Sequence, residues 1–178
     1  MIDGIELASS GLDAYANVQE VIARNLANVN TTGYKKTTIS FKTILDEAGS
    51  SNLQTNVGVD FSKGNLTHTG NALDIAIDGD GFLTLETDQG MRYTRNGHFQ
   101  LSNNGEIITF NGAKLLGQGG PLIFPKGGRE ILIDNKGIVK VDNKEIGRSM
   151  ITNFTDLSEL APTGNSLFSA PLSSINED

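Results

Sequence analysis

The sequence contains no cysteine and no tryptophan, and its only histidines are His68 and His98. The absence of cysteine excludes disulfides, thiolate metal sites and a cysteine nucleophile, and two imidazoles are too few for most zinc sites. Neither a Gly-x-Ser-x-Gly elbow nor an HExxH motif accompanies the histidines. We therefore expect a protein that is not an enzyme and that holds no metal and no cofactor.

Long apolar runs and basic clusters are also missing. No apolar run approaches the roughly 18 residues that a membrane span needs, and the longest basic run is Lys35-Lys36. The net charge of −7 makes nucleic acid and anionic membranes poor partners. Acidic Asp3 and Glu6 stand where a secretory signal would carry basic residues. We expect no nucleic-acid binding, no membrane insertion and no Sec-type signal.

Glycine and asparagine are abundant, with 21 and 17 residues in a chain of 178. These two residue types tolerate positive φ best, so tight turns must be frequent. Beyond residue 72, short apolar runs are separated by Asp-Gly or Asn-Gly pairs such as Asn104-Gly105 and Asn111-Gly112, which is the strongest short-range signal for a hairpin. The segment RYTRNGHFQL, residues 92–101, has the clearest hairpin pattern of all.

This pattern predicts a mainly β fold. Residues 66–178 should form a compact antiparallel β domain rich in hairpins, with a loosely structured tail from residue 156. Residues 46–65 are polar and rich in Gly, Ser and Asn, which is typical of a linker or long loop. Residues 1–45 precede that linker as a separate segment.

A heptad pattern marks residues 5–29, the only strong helical signal in the chain. Apolar residues recur there at alternating three- and four-residue spacing, which is typical of a helix that pairs with other helices. This seam consists of Ile5, Ala8, Leu12, Tyr15, Gln19, Ile22, Leu26 and Val29. Gln19 interrupts the seam, as polar residues that set the register of coiled coils do. We predict a long N-terminal α-helix, with Asp3 as its cap, followed by an extended segment.

The seam is expected to pack against another surface, because an apolar stripe of this length left in water is an association surface. No later segment has a heptad pattern that could pair with it. We expect the seam to pair with helices of other molecules, the alternative being that the helix folds back on the β domain.

The segment NLANVNTTGYK, residues 25–35, follows directly. Asn25 and Asn28 share a helix face, from which their amides could bond a partner helix. Gly33 can take positive φ and turn the chain out of the helix. A capped helix end with no partner contact is the alternative interpretation of this segment.

The acidic sequence Asp78-Gly79-Asp80-Gly81 raises a second class of function. It fails as an EF-hand loop, because Phe82 and Leu83 occupy positions that need an oxygen ligand and a glycine. Nearby carboxylates such as Asp74 and Glu86 could in principle form a hydrolytic pair, but Asp is common in turns for conformational reasons. We interpret this region as turns, and a small calcium- or carbohydrate-binding β domain remains the alternative function.

Two segments resemble the bacterial flagellar axial proteins of the rod and hook. Residues 11–36, GLDAYANVQEVIARNLANVNTTGYKK, are similar to the N-terminal signature of that family. Residues 61–124 carry similar Gly-x-Leu-x-x-Thr-Gly, Leu-Asp-x-Ala-Ile-x-Gly-x-Gly-Phe and Tyr-Thr-Arg-x-Gly-x-Phe motifs. Within the family, GGPLIFP and the Gly-Asn-x-Leu-Phe at 164–168 most resemble proteins of the proximal rod, with those of the distal rod second.

The resemblance implies a structural subunit of the basal-body rod, the periplasmic drive shaft of the flagellum. It implies helical assembly with other copies of the chain and with neighbouring rod proteins, and export through the flagellar type III apparatus. The family ordinarily ends in a second heptad helix, so we expect that Asp178 marks a truncation. The expected partner-binding residues are Leu12, Tyr15, Gln19, Ile22, Asn25, Leu26, Asn28, Val29, Gly33 and Tyr34.

Overall fold

The computed structural model describes residues 2–45, 51–128, 130–134 and 136–176. The chain divides into two compact units, Met1–Lys63 and Gly64–Asp178. Over the described residues, one N-terminal α-helix precedes a series of short antiparallel strands. This confirms the predicted fold class, a mainly β chain with a single helix at its start.

The first unit is a helix packed on a two-stranded hairpin. Helix α1 spans Ile2–Ala27, strand β1 spans Thr37–Leu45 and strand β2 spans Ser51–Val59. The helix begins earlier than predicted, so the expected cap Asp3 lies inside it. The two strands pair antiparallel along their whole length, from Thr37 opposite Val59 to Leu45 opposite Ser51.

The linker predicted for residues 46–65 is therefore wrong over Ser51–Val59, and residues 46–50 lie outside the described part of the chain. The strand has the sequence SNLQTNVGV, in which Leu53, Thr55, Val57 and Val59 alternate with more polar residues. That period of two is a strand signal. It is hidden by Gly, Asn and Gln, which are infrequent in strands.

The second unit consists of short strands. They are β3 Phe82–Thr87, β4 Gly90–Thr94, β5 Gln100–Leu101, β6 Ile107–Ile108, β7 Lys114–Gly117, β8 Gly120–Pro121, β9 Ile131–Ile133, β10 Ile138–Val141, β11 Lys144–Arg148, β12 Ile151–Phe154, β13 Ala161–Gly164, β14 Leu167–Ser169 and β15 Ile175–Asn176. The main sheet has the order β13-β14-β4-β3-β7-β6-β5, with β12 also beside β3, β15 beside β12 and β8 beside β7. Strands β11, β10 and β9 form a separate three-stranded sheet.

Strand β3 lies at the centre of this unit and is buried on both faces. Leu83 and Leu85 belong to an apolar cluster, whose other buried members are Phe99, Ile107, Ala113, Leu115, Leu122 and Val139. On the opposite face, the Thr84 hydroxyl lies 2.7 Å from the Thr152 hydroxyl in a buried hydrogen bond. Phe82, on that same face, makes edge-to-face contacts with Phe154 and Phe168 at centroid distances of 5.5 and 5.9 Å.

The C-terminal region is ordered into strands, which corrects the prediction of a loose tail from residue 156. Strands β13 and β14 extend the main sheet, and β15 pairs with β12. Phe168 is only 3% exposed, because its ring packs on Phe82 in the core. The sequence pattern did not reveal this, since strands of two to four residues are too short to show periodicity.

The hairpin predicted over residues 92–101 is also wrong. Strand β4 pairs with β3 and β14, whereas β5 pairs with β6. At Asn96-Gly97 the chain instead passes another segment closely, since the Ile75 amide donates to the Gly97 carbonyl at 2.9 Å. The Asn-Gly rule does hold at Gly105 and Gly112, which have φ of 82° and 83° in turns between successive strands.

Candidate assembly surface on the N-terminal helix

One side of α1 packs on the β1–β2 hairpin. Ala14 and Val21 are 5% and 8% exposed, and Val18 between them is half-buried. The Asn17 amide donates to the Thr55 hydroxyl at 3.3 Å. The hairpin residues that share a face with Thr55 are Thr37, Ile39, Phe41, Val57 and Val59. Sequence reasoning missed this stripe, although residues 14, 18 and 21 have helical spacing, because they are smaller than the seam residues.

Asn25 joins the helix to the first strand. Its Nδ2 donates to the Thr37 carbonyl at 2.8 Å, and its Oδ1 accepts from the Thr37 amide at 2.9 Å. The Tyr34 hydroxyl donates to the same Oδ1 at 3.0 Å. The side-chain amide thus pairs with the backbone of β1 as a neighbouring strand would. Asn25 and Tyr34 are therefore engaged within the chain, which differs from their predicted role as contacts to a partner.

Asn28 and Gly33 shape the helix end. The Asn28 amide donates to the Arg24 carbonyl at 2.8 Å, and its Oδ1 accepts from Thr31 at 3.3 Å. Gly33 has φ of 68°, the left-handed conformation in which a side chain is disfavoured. This geometry favours the capped-end interpretation of the segment after the helix, because carbonyls in the last turn need such donors.

Asp60 closes the hairpin onto the segment before β1. The Lys36 ammonium lies 3.1 Å from one carboxylate oxygen of Asp60, and the Ser62 amide donates to the other at 2.8 Å. The hydrogen bonds from Ser62, followed by the one from Lys36, lower the pKa of Asp60 from 3.8 to about 2. The polar network therefore holds the strand ends together at neutral pH.

From Leu12 to Leu26, the predicted seam lies on a different side of α1 and is exposed, and Val29 follows the end of the helix. Its large apolar residues keep more than half of their surface in water: Leu12 71%, Tyr15 64%, Ile22 53%, Leu26 69% and Val29 71%. Gln19, also exposed, donates to the Tyr15 hydroxyl at 2.9 Å along the helix. Pairing with other molecules remains a prediction.

A positively charged side chain lies beside the alternative site at residues 78–81. The Arg95 guanidinium donates to the Gly79 carbonyl at 2.9 Å and lies 5.0 Å from the centroid of the Phe82 ring. A fixed positive charge beside this loop opposes the binding of calcium. The part of the chain that the structure describes has no group of three or more His, Asp or Glu side chains placed to hold a metal ion.

His98 and Asp74 connect two loops of the second unit. The His98 Nδ1 lies 2.8 Å from an Asp74 oxygen, and the backbones of the two residues form an isolated β-bridge. A hydrogen bond from Thr69 is the largest cause of the lowered pKa of Asp74, and the bond from His98 also lowers it. The contact of His98 with Asp74 thus joins two segments of the chain.

Comparison with known families follows the same two units. Residues 5–35, which hold most of α1 and the turn after it, match a family model described as flagella basal body rod protein. Residues 76–141 match one described as flagellar hook protein FlgE/F/G D1 domain. A flagellar basal-body rod protein FlgG of Buchnera aphidicola subsp. Baizongia pistaciae is 33% identical over 195 residues, covering 94% of this chain and 74% of that protein. The chain belongs to the flagellar basal-body rod protein family.

Other members of this rod family are similar over much of their length. FlgG of Agrobacterium fabrum is 30% identical, with 93% of this chain and 72% of that protein aligned. FlgF of Caulobacter vibrioides is 35% identical, with 84% and 65% aligned. These relatives confirm the resemblance seen in the sequence, and with it the function of a structural rod subunit rather than a calcium- or carbohydrate-binding domain. No helix within the described ranges of this rod-family chain has the length and apolar content to cross a membrane.

Proposed function

We propose that this chain takes its place in the flagellar rod by pairing the exposed seam of α1 with helices of neighbouring subunits. The observation that carries the proposal is the division of the helix surface. Ala14 and Val21 are buried against the hairpin, while Leu12 and Leu26 are about 70% exposed on another side. A stable helix that leaves its larger apolar residues in water has an association surface.

The wider assignment rests on family membership. Relatives are named as basal-body rod proteins, and one relative is a flagellar hook protein FlgE of Rhizobium meliloti. We assign the chain to the basal body, in contact with copies of itself and with other rod proteins. We further assign it to the periplasmic part of the flagellum, with export through the flagellar type III apparatus and no catalytic activity.

The binding set is narrower than the one predicted from sequence. Asn25, Asn28, Gly33 and Tyr34 shape the helix end from within, so they support the surface without forming it. The residues assigned to the partner surface are Leu12, Tyr15, Gln19, Ile22, Leu26 and Val29.

Leu26→Asp tests this proposal in the full-length protein. A charge in a desolvated helix contact costs on the order of several kcal/mol at each repeated interface, so the variant should fail to sediment as an assembly and should not restore motility to a strain that lacks the protein. The melting of the β unit should be unchanged.

Two controls make the result specific. Ala27→Asp adds the same charge next to Leu26, also at an exposed position, but about 100° around the helix. Asp80→Asn would disable a calcium or carboxylate site. Both controls should assemble. Normal assembly of Leu26→Asp, or loss of function in Asp80→Asn, would contradict the proposal.

A further inference from the structure

The second unit has an exposed surface at one end of its main sheet. Met91, Glu86, Lys114 and Ile108 are direct cross-strand neighbours in that order on β4, β3, β7 and β6. Directly paired residues point to the same side of a sheet. The four side chains therefore form one surface, here called the Met91 face. Unlike the start of β3, which is buried on both sides, Glu86 and Met91 are exposed.

Large apolar groups flank the Met91 face. Phe110, in the turn between β6 and β7, is 89% exposed, and Met91 and Ile123 are each 53% exposed. Ile123 belongs to the same side of the sheet, because it forms a bridge with Glu106, whose carboxylate lies 2.6 Å from the Lys114 ammonium. Exposed apolar side chains that lie together, unlike single ones, mark contact sites.

The Met91 face is acidic. The Lys114 ammonium donates to the Glu106 carboxylate, and this hydrogen bond is the main cause of its raised pKa; the negative charges of Glu86 and Asp88 raise that pKa further. One cation cannot neutralise three anions. A partner for this face must therefore combine apolar surface with positive charge.

The three-stranded sheet has such a surface. On β10, Lys140 pairs with Leu132 on one side and with Glu145 on the other. Ile138 pairs with Arg148 on the same side of the sheet. These five residues form the Lys140 face, in which Leu132 is 50% exposed.

The Lys140 face carries excess positive charge. Arg148 Nε donates to the backbone carbonyl of Lys136 at 2.9 Å. The Lys136 ammonium is a third cation of this region, because its charge acts on Asp134 together with that of Lys140. The carboxylates among them are Asp134, whose pKa is lowered by hydrogen bonds from Ile138 and Lys136 and by the charges of Lys140 and Lys136, and Glu145. Three cations thus stand against two anions.

The two faces lie at opposite ends of strand β7. Lys114 begins the strand within the Met91 face. At the other end, Gly117 forms a bridge with Ser149, and the amide of the next residue donates to the Arg148 carbonyl at 3.0 Å. A strand of this length separates its ends by about 10 Å. The two faces are therefore separate surfaces of one copy of the chain.

We propose that the Met91 face of one copy binds the Lys140 face of the next copy, head to tail. Contact between two Met91 faces would oppose carboxylate to carboxylate, whereas the unlike pairing opposes acidic to basic charge and covers Phe110 with Leu132 and Ile138. Contact between unlike faces leaves one face free at each end, so it repeats without closing. The inference rests on the proposed function for the existence of an assembly, and it adds a contact independent of the helix seam.

Cysteine cross-linking tests this contact, and the chain itself contains no cysteine. Phe110→Cys and Leu132→Cys variants of the full chain are mixed and treated with a short, flexible bismaleimide. The mixed pair should give at least about tenfold more cross-linked dimer than Phe110→Cys mixed with Thr163→Cys, because bound thiols have a high effective concentration. Thr163 is exposed on β13, outside both faces.

Charge reversal makes the test independent of linker geometry. Glu86→Lys in the Phe110→Cys copy, or Lys140→Glu in the Leu132→Cys copy, should each lower the yield several-fold, and the two together should restore it. A yield equal to the Thr163→Cys control, or reversals with no effect, would overturn the inference.

Sedimentation of the same samples separates the two proposals. A chain that assembles through a Leu26-dependent contact but gives no specific cross-link overturns the head-to-tail contact alone. A specific, charge-dependent cross-link with assembly unaffected by Leu26→Asp overturns the seam proposal alone.

Discussion

Different kinds of interaction stabilise the interior of each of the two units of the chain. In the second unit, large aliphatic and aromatic side chains such as Leu85, Phe82 and Leu115 are at most 1% exposed. In the first unit, among the side chains of the helix whose burial the structure describes, the buried apolar ones are small, Ala14 and Val21, and the larger ones such as Leu12 and Leu26 are in water. Polar contacts made by Asn25 and Asp60 hold its helix and strands in place.

This difference indicates that one unit is stabilised by its own core, and we propose that the other is stabilised by contacts with other molecules. Burial of apolar surface contributes most of the stability of a fold. The β unit has a core of its own, whereas the side chains that the structure describes in the helix–hairpin unit bury few large apolar groups. A helix with a weak core and an exposed seam gains most from contacts with other molecules. The helix that leaves Leu12 and Leu26 exposed is therefore the element that we propose for assembly.

The largest effect is expected in the core of the β unit. Leu85→Ala should lower its free energy of unfolding by about 2–5 kcal/mol, because a fully buried leucine leaves a cavity when truncated. Urea unfolding followed through the amide signals of β3 measures this. Leu26→Ala is the matched control and should change the free energy by no more than about 0.5 kcal/mol, since the side chain is exposed. Similar losses for both variants would remove the contrast between the units.

A smaller effect is expected at the joint of the first unit. Asn25→Ala removes the amide that bonds the backbone of Thr37 at two points. This should weaken the docking of β1 on the helix end by about 1–3 kcal/mol. Hydrogen exchange of the Thr37 amide should become faster, with β3 unaffected. Asn30→Ala, an exposed change a few residues away, should leave the exchange as it is. Unchanged exchange in Asn25→Ala would show that apolar contacts alone hold the hairpin.

The smallest effect concerns pH. The pKa of Asp60 in the folded chain is about 2, below its ordinary value of 3.8. Ionised Asp60 therefore stabilises the hairpin closure above about pH 4, and this contribution is lost as the pH falls through about 2. Carboxyl NMR of Asp60 and exchange of the Ser62 amide report the transition. Asp60→Asn should abolish it, and a carboxyl titrating near 4 would contradict the assigned contacts.

Sequence reasoning succeeded where a pattern extends over many residues. The seam was predicted from its spacing, and its residues from Leu12 to Leu26 lie on one exposed side of the helix, whereas Val29 follows the end of the helix. The β class followed from short apolar runs between turns. Gly105 and Gly112 adopt the conformation that their Asn-Gly pairs predict.

It failed where long-range contacts decide the structure. Whether Asn25 bonds a partner helix or the backbone of Thr37 depends on where β1 passes, and residue spacing holds no information about that. The pairing of β4 with β14 joins residues more than seventy positions apart, while local signals favoured a hairpin with β5. The Met91 face and the Lys140 face likewise can be recognised only when cross-strand neighbours such as Met91 and Glu86 are known.

The crossing at Gly97 has a consequence for how this chain can evolve. A Cβ placed there would stand 1.5 Å from the Ile75 carbonyl oxygen, which belongs to the backbone and cannot rotate away. Even the smallest replacement, alanine, is as incompatible as a large one, so there is no series of mild substitutions through which the position could drift. Any lineage that loses this glycine must move the Ile75 segment in the same step, and the two segments are bound to change together or not at all.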